Sequence, residues 1–176
     1  MSLTKTKCIF LDRDGVLNED CPDYLYELEK LVIPKGVAEA LQALKKAGYL
    51  LIVITNQAGI ARGLYDAEAV YAIHRRMQEA SGNILDDLYF SPYHPEFSGR
   101  SLSRKPDSLL LEKAISKYDV DPEQSWMIGD RARDMEAGLK AGLKTIHIIS
   151  GNEISAGNFA AADLLEAAKI LLAVSG

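Results

Sequence analysis

Cys8-Ile9-Phe10-Leu11-Asp12-Arg13-Asp14-Gly15-Val16 is the stretch that decides the architecture. Its first four residues are an all-apolar run of the kind buried on both faces of a parallel sheet, and the run leads directly into two carboxylates spaced i, i+2 and then a glycine. Open parallel sheets place ligands just beyond the carboxyl ends of their strands, so Asp12 and Asp14 fall where a site is expected. If the chain stays extended, alternate side chains share one side, and a divalent cation there could keep both carboxylates ionised as neighbours. Asp-Gly is also ordinary turn chemistry. The remainder of the chain separates a site from a solvated turn.

Working outward, apolar runs and helical patterns alternate. Pro34 and Gly36 open a pattern with Val37, Ala40, Leu41 and Leu44 on one face, stopped by Gly48, and the β-rich run Leu50 to Thr55 follows. Asp66 caps a helix carrying Val70, Ile73, His74 and Met77 toward Gly82; Leu88 to Ser91 is a weaker strand. Pro106 to Tyr118 reads as a helix, Ser125 to Ile128 as a strand, Arg133 to Ala141 as a short helix ended by Gly142, and Lys144 to Ile149 as a strand. A last helix runs from about Ala161 to Val174. This β-α order requires right-handed crossovers and predicts an α/β fold, a Rossmann-like three-layer parallel sheet with helices on both faces, in a single domain over 1–176. No insertion is long enough for a substantial cap domain. The long connections, 15–34, 56–65 and 92–105, are candidates to carry function.

The chain has 176 residues, is 48% hydrophobic, and balances 20 Lys+Arg against 25 Asp+Glu for a net charge of −5. That composition excludes a disordered protein, and the summed charge offers no general attraction to nucleic acid or an anionic membrane. Two cysteines, Cys8 and Cys21, make neither a disulfide framework nor a zinc set. The opening Met-Ser-Leu-Thr-Lys lacks an apolar signal region and no apolar run reaches spanning length, so a cytoplasmic protein is expected.

Polar residues cluster at the strand ends. The first strand ends in Asp12 and Asp14, the second in Thr55-Asn56-Gln57, and the fourth in Gly129-Asp130 with Asp134 four residues on; Lys105 comes from a loop that passes the same rim. Carboxylates, a hydroxyl, an amide and an ammonium at one edge suit magnesium beside a phosphate, with Thr and Lys donating to its oxygens. Zinc would call for His or Cys. Asp134 also stands where a helix cap would, and His74 and His147 read as structural.

Asp12-Arg13-Asp14-Gly15, Thr55-Asn56-Gln57, Lys105 and Gly129-Asp130 with Asp134 resemble, in order, the four motifs of the haloacid dehalogenase-like phosphatases. The longer strings Thr55-Asn56-Gln57-Ala58-Gly59-Ile60-Ala61-Arg62-Gly63 and Arg104-Lys105-Pro106 resemble the heptose bisphosphate phosphatase and histidinol-phosphatase branch, and the likeness spans about residues 7–151. The resemblance implies Asp12 as nucleophile forming an aspartyl phosphate and Asp14 as general acid and then base. It assigns magnesium to Asp12, the backbone carbonyl of Asp14, and Asp130, with Asp134 supporting. Thr55 and Lys105 would bind the transferring phosphoryl group and Asn56 would orient substrate. An Asp at i+2 also argues against dehalogenation, since a departing halide needs no proton.

Relatives in that branch often carry a structural zinc in the loop before Arg-Lys-Pro. Here Ser91, Tyr93, Ser101 and Ser103 stand at its positions with His94 alone, so no zinc is expected and the loop is expected to be held by packing of Tyr93, Pro95 and Phe97. Arg13, Arg62, Arg100, Arg104, Lys105, Arg131 and Arg133 gather near the predicted rim. Arg104 and Arg131, beside motif residues, are the candidates for a second anionic group, favouring a heptose 1,7-bisphosphate. Histidinol phosphate, whose ammonium Glu19, Asp20 or Asp23 could meet, and other sugar phosphates are the alternatives. A catalytically silent binding protein on the same fold is the alternative outside enzymology. The small-molecule substrate is the only partner expected, in a possible monomer.

Overall fold

The structure, a computed structural model, describes residues 5–151 and 153–175. Six parallel strands form one sheet in the order β3-β2-β1-β4-β5-β6: β1 (Cys8–Leu11), β2 (Leu50–Asn56), β3 (Asp87–Ser91), β4 (Trp126–Gly129), β5 (Lys144–Ile148) and β6 (Phe159–Ala161). The helices are α1 (Val37–Lys46), α2 (Ala67–Ser81), the single turn α3 (Pro95–Ser98), α4 (Leu109–Lys117), α5 (Ala132–Lys140) and α6 (Leu164–Val174).

The apolar run of β1 is buried on both faces, as its lack of alternation requires. Ile9 and Leu11 join Val53, Trp126, Ile128 and Ile146 under α1, α2 and α6. Cys8 and Phe10 join Ile52, Ile54 and Met127 under α4 and α5. Successive β1 side chains therefore feed opposite layers. Fully burying one such side chain contributes about 1.5–3 kcal/mol, so the strand that presents Asp12 is among the most firmly held parts of the chain.

Three expectations are corrected. A sixth strand, Phe159–Ala161, pairs with β5; at three residues it is too short to show a period. The last helix begins at Leu164 instead of Ala161, because Asp163 accepts from Glu166 N at 2.8 Å and caps it there. The helix expected from Pro106 begins at Leu109, residues 106–108 forming a turn. Among the described residues the connections hold only short helical turns, with no cap domain, and no helix is long and apolar enough to cross a membrane.

Strand order reverses direction from β1, which pairs with β2 on one side and β4 on the other. Neighbouring crossovers leave to opposite faces at such a point and open a crevice at the carboxyl ends. Asp12 follows β1 and Asp130 follows β4, and Asp12 N donates to Ile128 O at 2.9 Å.

Candidate active site

The crevice collects Asp12, Asp130 and Asp134, whose carboxylate oxygens lie within 4.8 Å of one another. Lys105 enters from the loop before α4. Its ammonium meets Asp12 Oδ1 at 2.9 Å, Asp134 Oδ1 at 2.8 Å and the carbonyl of Ile54 at 2.7 Å. Lys105, Asp12 and Asp134 are 2%, 4% and 0% exposed, so these charges act on one another with little screening by water.

Burial, then the charge of Asp134, pushes the Asp12 carboxyl up to about 7 against the pull of Lys105. Asp130 is pushed up to about 6 by burial and by Asp134. Burial acts to lower the Lys105 ammonium, but the two carboxylates outweigh it and hold it above the ordinary lysine value. The cluster thus has more negative charge than Lys105 balances. Its donors are oxygens only, the set a hard divalent cation takes. Gly15 makes the approach possible: at φ +80°, a Cβ there would stand 2.4 Å from Asp130 Oδ2. The residues therefore fit magnesium, with Asp12 and Asp130 as the carboxylates that would hold it.

Asp134 closes the start of α5 and also faces the cluster. Its Oδ2 accepts from Arg131 N at 3.0 Å, closing the first turn of α5, while Oδ1 faces Lys105. With both oxygens engaged it suits a supporting position.

The Asp14 carboxylate lies outside that cluster. It accepts from Arg13 Nε (3.1 Å) and Nη2 (3.1 Å), Asn18 Nδ2 (3.0 Å) and Gln57 Nε2 (3.2 Å). Arg13 is accordingly no rim residue: it is 1% exposed, and its guanidinium also donates to Leu25 O at 3.1 Å. Nothing in the local sequence distinguishes an inward from an outward arginine at that position.

The Thr55 hydroxyl, buried at the end of β2, accepts from Gln57 Nε2 at 2.8 Å. The Asn56 amide clamps the backbone of Lys105, donating to its carbonyl and accepting from its N–H, both at 3.0 Å. Arg104 Nη1 donates to Tyr93 O at 3.1 Å, and burial and the nearby charge of Arg133 lower its pKa. Arg131 is neutralised locally by Asp20 at 2.6 Å and Asp130 at 3.0 Å. Arg62, which the motif reading left without a role, lies over the rings of Tyr24 and Phe97, 5.8 and 4.8 Å from their centroids.

The 92–105 loop is held differently from expectation. Tyr93 and Phe97 are 42% and 53% exposed. Ser103 Oγ instead sits 3.0 Å from Ser91 Oγ and 2.9 Å from Ser101 Oγ, so hydroxyls bonded to one another join the loop to the end of β3. Small, partly buried polar groups can satisfy each other where exposed rings gain little.

A family profile described as HAD-hydrolase-like matches residues 102–169. The D-glycero-beta-D-manno-heptose-1,7-bisphosphate 7-phosphatase of Haemophilus ducreyi is 37% identical over 168 residues, covering 90% of this chain and 92% of that protein. The D-glycero-alpha-D-manno-heptose-1,7-bisphosphate 7-phosphatase of Burkholderia mallei is 38% identical over 159 residues, covering 86% and 84%. The solved structure of D,D-heptose 1,7-bisphosphate phosphatase from B. bronchiseptica, complexed with magnesium and phosphate, has a TM-score of 0.86 at 29% identity, covering 96% of this chain and 99% of that one.

Proposed function

The chain belongs to the heptose bisphosphate phosphatases of the haloacid dehalogenase-like hydrolases and is a phosphoric monoester hydrolase; from this we propose that it removes one phosphate from D-glycero-D-manno-heptose 1,7-bisphosphate by way of Asp12 and Asp14. The observation that carries the reading is the meeting of Asp12, Asp130, Asp134 and Lys105 at the carboxyl ends of adjacent strands β1 and β4. A buried nucleophile facing an ammonium suits phosphoryl transfer, in which positioning and charge stabilisation do most of the work.

In the first step a carboxylate oxygen of Asp12 bonds to phosphorus as the phosphorus–oxygen bond to the sugar breaks, and Asp14 gives its proton to the departing alkoxide. In the second, Asp14 takes a proton from water as that water attacks the aspartyl phosphate; inorganic phosphate leaves and Asp12 is restored. Bound magnesium would supply charge stabilisation to the non-bridging oxygens, held by Asp12, Asp130 and the backbone carbonyl of Asp14. Lys105 favours the ionised form of Asp12 that attacks, opposing the burial and the charge of Asp134. Thr55 donates its hydroxyl to the transferring group, and Asn56 acts by fixing the Lys105 backbone.

The second phosphate falls to Arg104. Among the described residues Arg62, Arg104 and Arg133 form no ion pair with a carboxylate, while Arg131 has two and braces Asp130. With Asp20 committed to Arg131, the carboxylates available to a histidinol ammonium are reduced to Glu19 and Asp23.

The test is magnesium-dependent phosphate release from both anomers of the heptose bisphosphate, from sugar monophosphates and from histidinol phosphate, with 31P NMR identifying the phosphate removed. Relatives name both anomers, and the assay selects between them. Arg104→Ala should reduce kcat/KM on the bisphosphate about tenfold or more, on the scale of a charged hydrogen bond, and on monophosphates much less. Equal losses on both would remove Arg104 from recognition of the remote phosphate.

A further inference from the structure

We propose that Tyr65 and Gln57 form a positioning unit that orients the Asp14 carboxylate and the Thr55 hydroxyl for ester cleavage, an inference that rests on the phosphatase reading above. Gln57 follows β2 and is 1% exposed. Its Nε2 group donates to Asp14 Oδ2 at 3.2 Å and to Thr55 Oγ1 at 2.8 Å, and its Oε1 accepts from the Tyr65 hydroxyl at 2.7 Å.

An amide whose two N–H groups and one oxygen are all engaged has a single orientation. The Asp14 carboxylate, an acceptor only, selects it, because a turned-over amide would set acceptor against acceptor. The Tyr65 hydroxyl holds it there by satisfying the buried Oε1, and without that donor the oxygen is left unpaired and the amide loses its anchor. Asp14 has three other donor contacts, but those come from Arg13 and Asn18 on its own segment. Gln57 is the donor from a different strand end, so it sets where Asp14 lies relative to Thr55. The same contact decides a second proton. A Thr hydroxyl that accepts from Gln57 keeps its one hydrogen to donate, which is what a phosphoryl oxygen requires.

Tyr65 is held independently of this bond. Its ring stacks on Tyr26 with centroids 5.2 Å apart and meets Tyr24 at 6.3 Å. It also fills the space beside Gly59, where a Cβ would lie 2.1 Å from Tyr65 Cε1. Burial raises the phenol to about 12, so it stays a donor at neutral pH.

The experiment compares kcat/KM of wild type, Tyr65→Phe, Gly59→Ala and Gln57→Glu on an alkyl phosphate and on p-nitrophenyl phosphate. This constant reads the phosphoryl-transfer step, in which the alkoxide needs a proton and nitrophenolate does not. Tyr65→Phe and Gly59→Ala should each lose about tenfold or more on the alkyl ester and clearly less on the aryl ester, where only the contact of Thr55 with the phosphoryl group is weakened. Gln57→Glu keeps the acceptor for Tyr65 but loses both donors, and should lose most. Equal losses on the two esters, or none, would overturn the proposal. A readout without turnover accompanies this: in 15N-labelled protein the Gln57 side-chain amide should exchange slowly with water and speed up in Tyr65→Phe, and an amide indifferent to that substitution would overturn it as well. Wild type that releases no phosphate from any ester, with the amide behaving as expected, would instead reject the phosphatase reading.

Discussion

Asp12→Asn should move activity and stability in opposite directions. Asp12 is 4% exposed, and burial together with Asp134 raises its carboxyl from 3.8 to about 7, although Lys105 Nζ is 2.9 Å away. An acid whose folded pKa lies above its unfolded value binds more protons when folded. Stability in metal-free protein therefore falls as pH rises between those two values, and the whole penalty stands above the upper one. At 1.36 kcal/mol per tenfold change in proton affinity, the displacement amounts to about 4 kcal/mol. Asparagine matches the protonated carboxyl in shape and charge, and its oxygen can keep the bonds that Oδ1 accepts from Arg13 N at 2.7 Å and from Lys105. Its N–H group must be buried with whatever acceptor it finds, which costs about 1–3 kcal/mol when the partner is poor. The substitution should then stabilise metal-free protein by about 1–3 kcal/mol at pH 8, with the advantage shrinking toward pH 4.5. Urea unfolding in chelator at both pH values measures it. Magnesium should stabilise wild type more than the variant, closing the gap. A variant less stable than wild type at pH 8, or a difference that does not change with pH, would refute the account of burial and repulsion at Asp12. Substantial turnover in the folded variant would end its role as nucleophile.

Asp14→Asn should slow cleavage of an alkyl phosphate by roughly a hundred- to ten-thousand-fold, the range of general acid–base catalysis; unchanged turnover on a poor leaving group would dismiss Asp14 as the acid. Chelation should abolish phosphate release and magnesium restore it, while elemental analysis of the purified protein should find no stoichiometric zinc, because Ser91, Ser101 and Ser103 bond to one another and supply no zinc donors. One tightly held zinc per chain would overturn that expectation. Gly15→Ala should weaken magnesium activation by displacing Asp130 and destabilise the fold by about 1–2 kcal/mol through its left-handed backbone. Wild-type magnesium dependence in that variant would show that the Asp130 carboxylate can shift without consequence.

The pattern of apolar residues was enough to determine the layers, and with them the edge of the sheet where chemistry could occur. An all-apolar run such as Cys8–Leu11 has to be covered on both faces, and runs alternating with amphipathic helices can be covered only by parallel crossovers. Asp12, Thr55 and Asp130 then had to emerge at one rim, because each directly follows or ends a strand and parallel strands point one way. Tertiary structure decided which partner each polar side chain meets. Gln57 reaches Asp14 across 43 positions and Arg131 reaches Asp20 across 111. Such pairs leave no period in the sequence, since hydrogen bonds and ion pairs depend on distances that arise only once strands lie side by side. For the same reason Arg13 could be taken for a rim charge when it is buried against Asp14, and the clamp of Asn56 on the Lys105 backbone left no sign in the sequence. Burying a strand depends on how apolar its whole length is, which is local information; placing one proton donor depends on several separate segments arriving together.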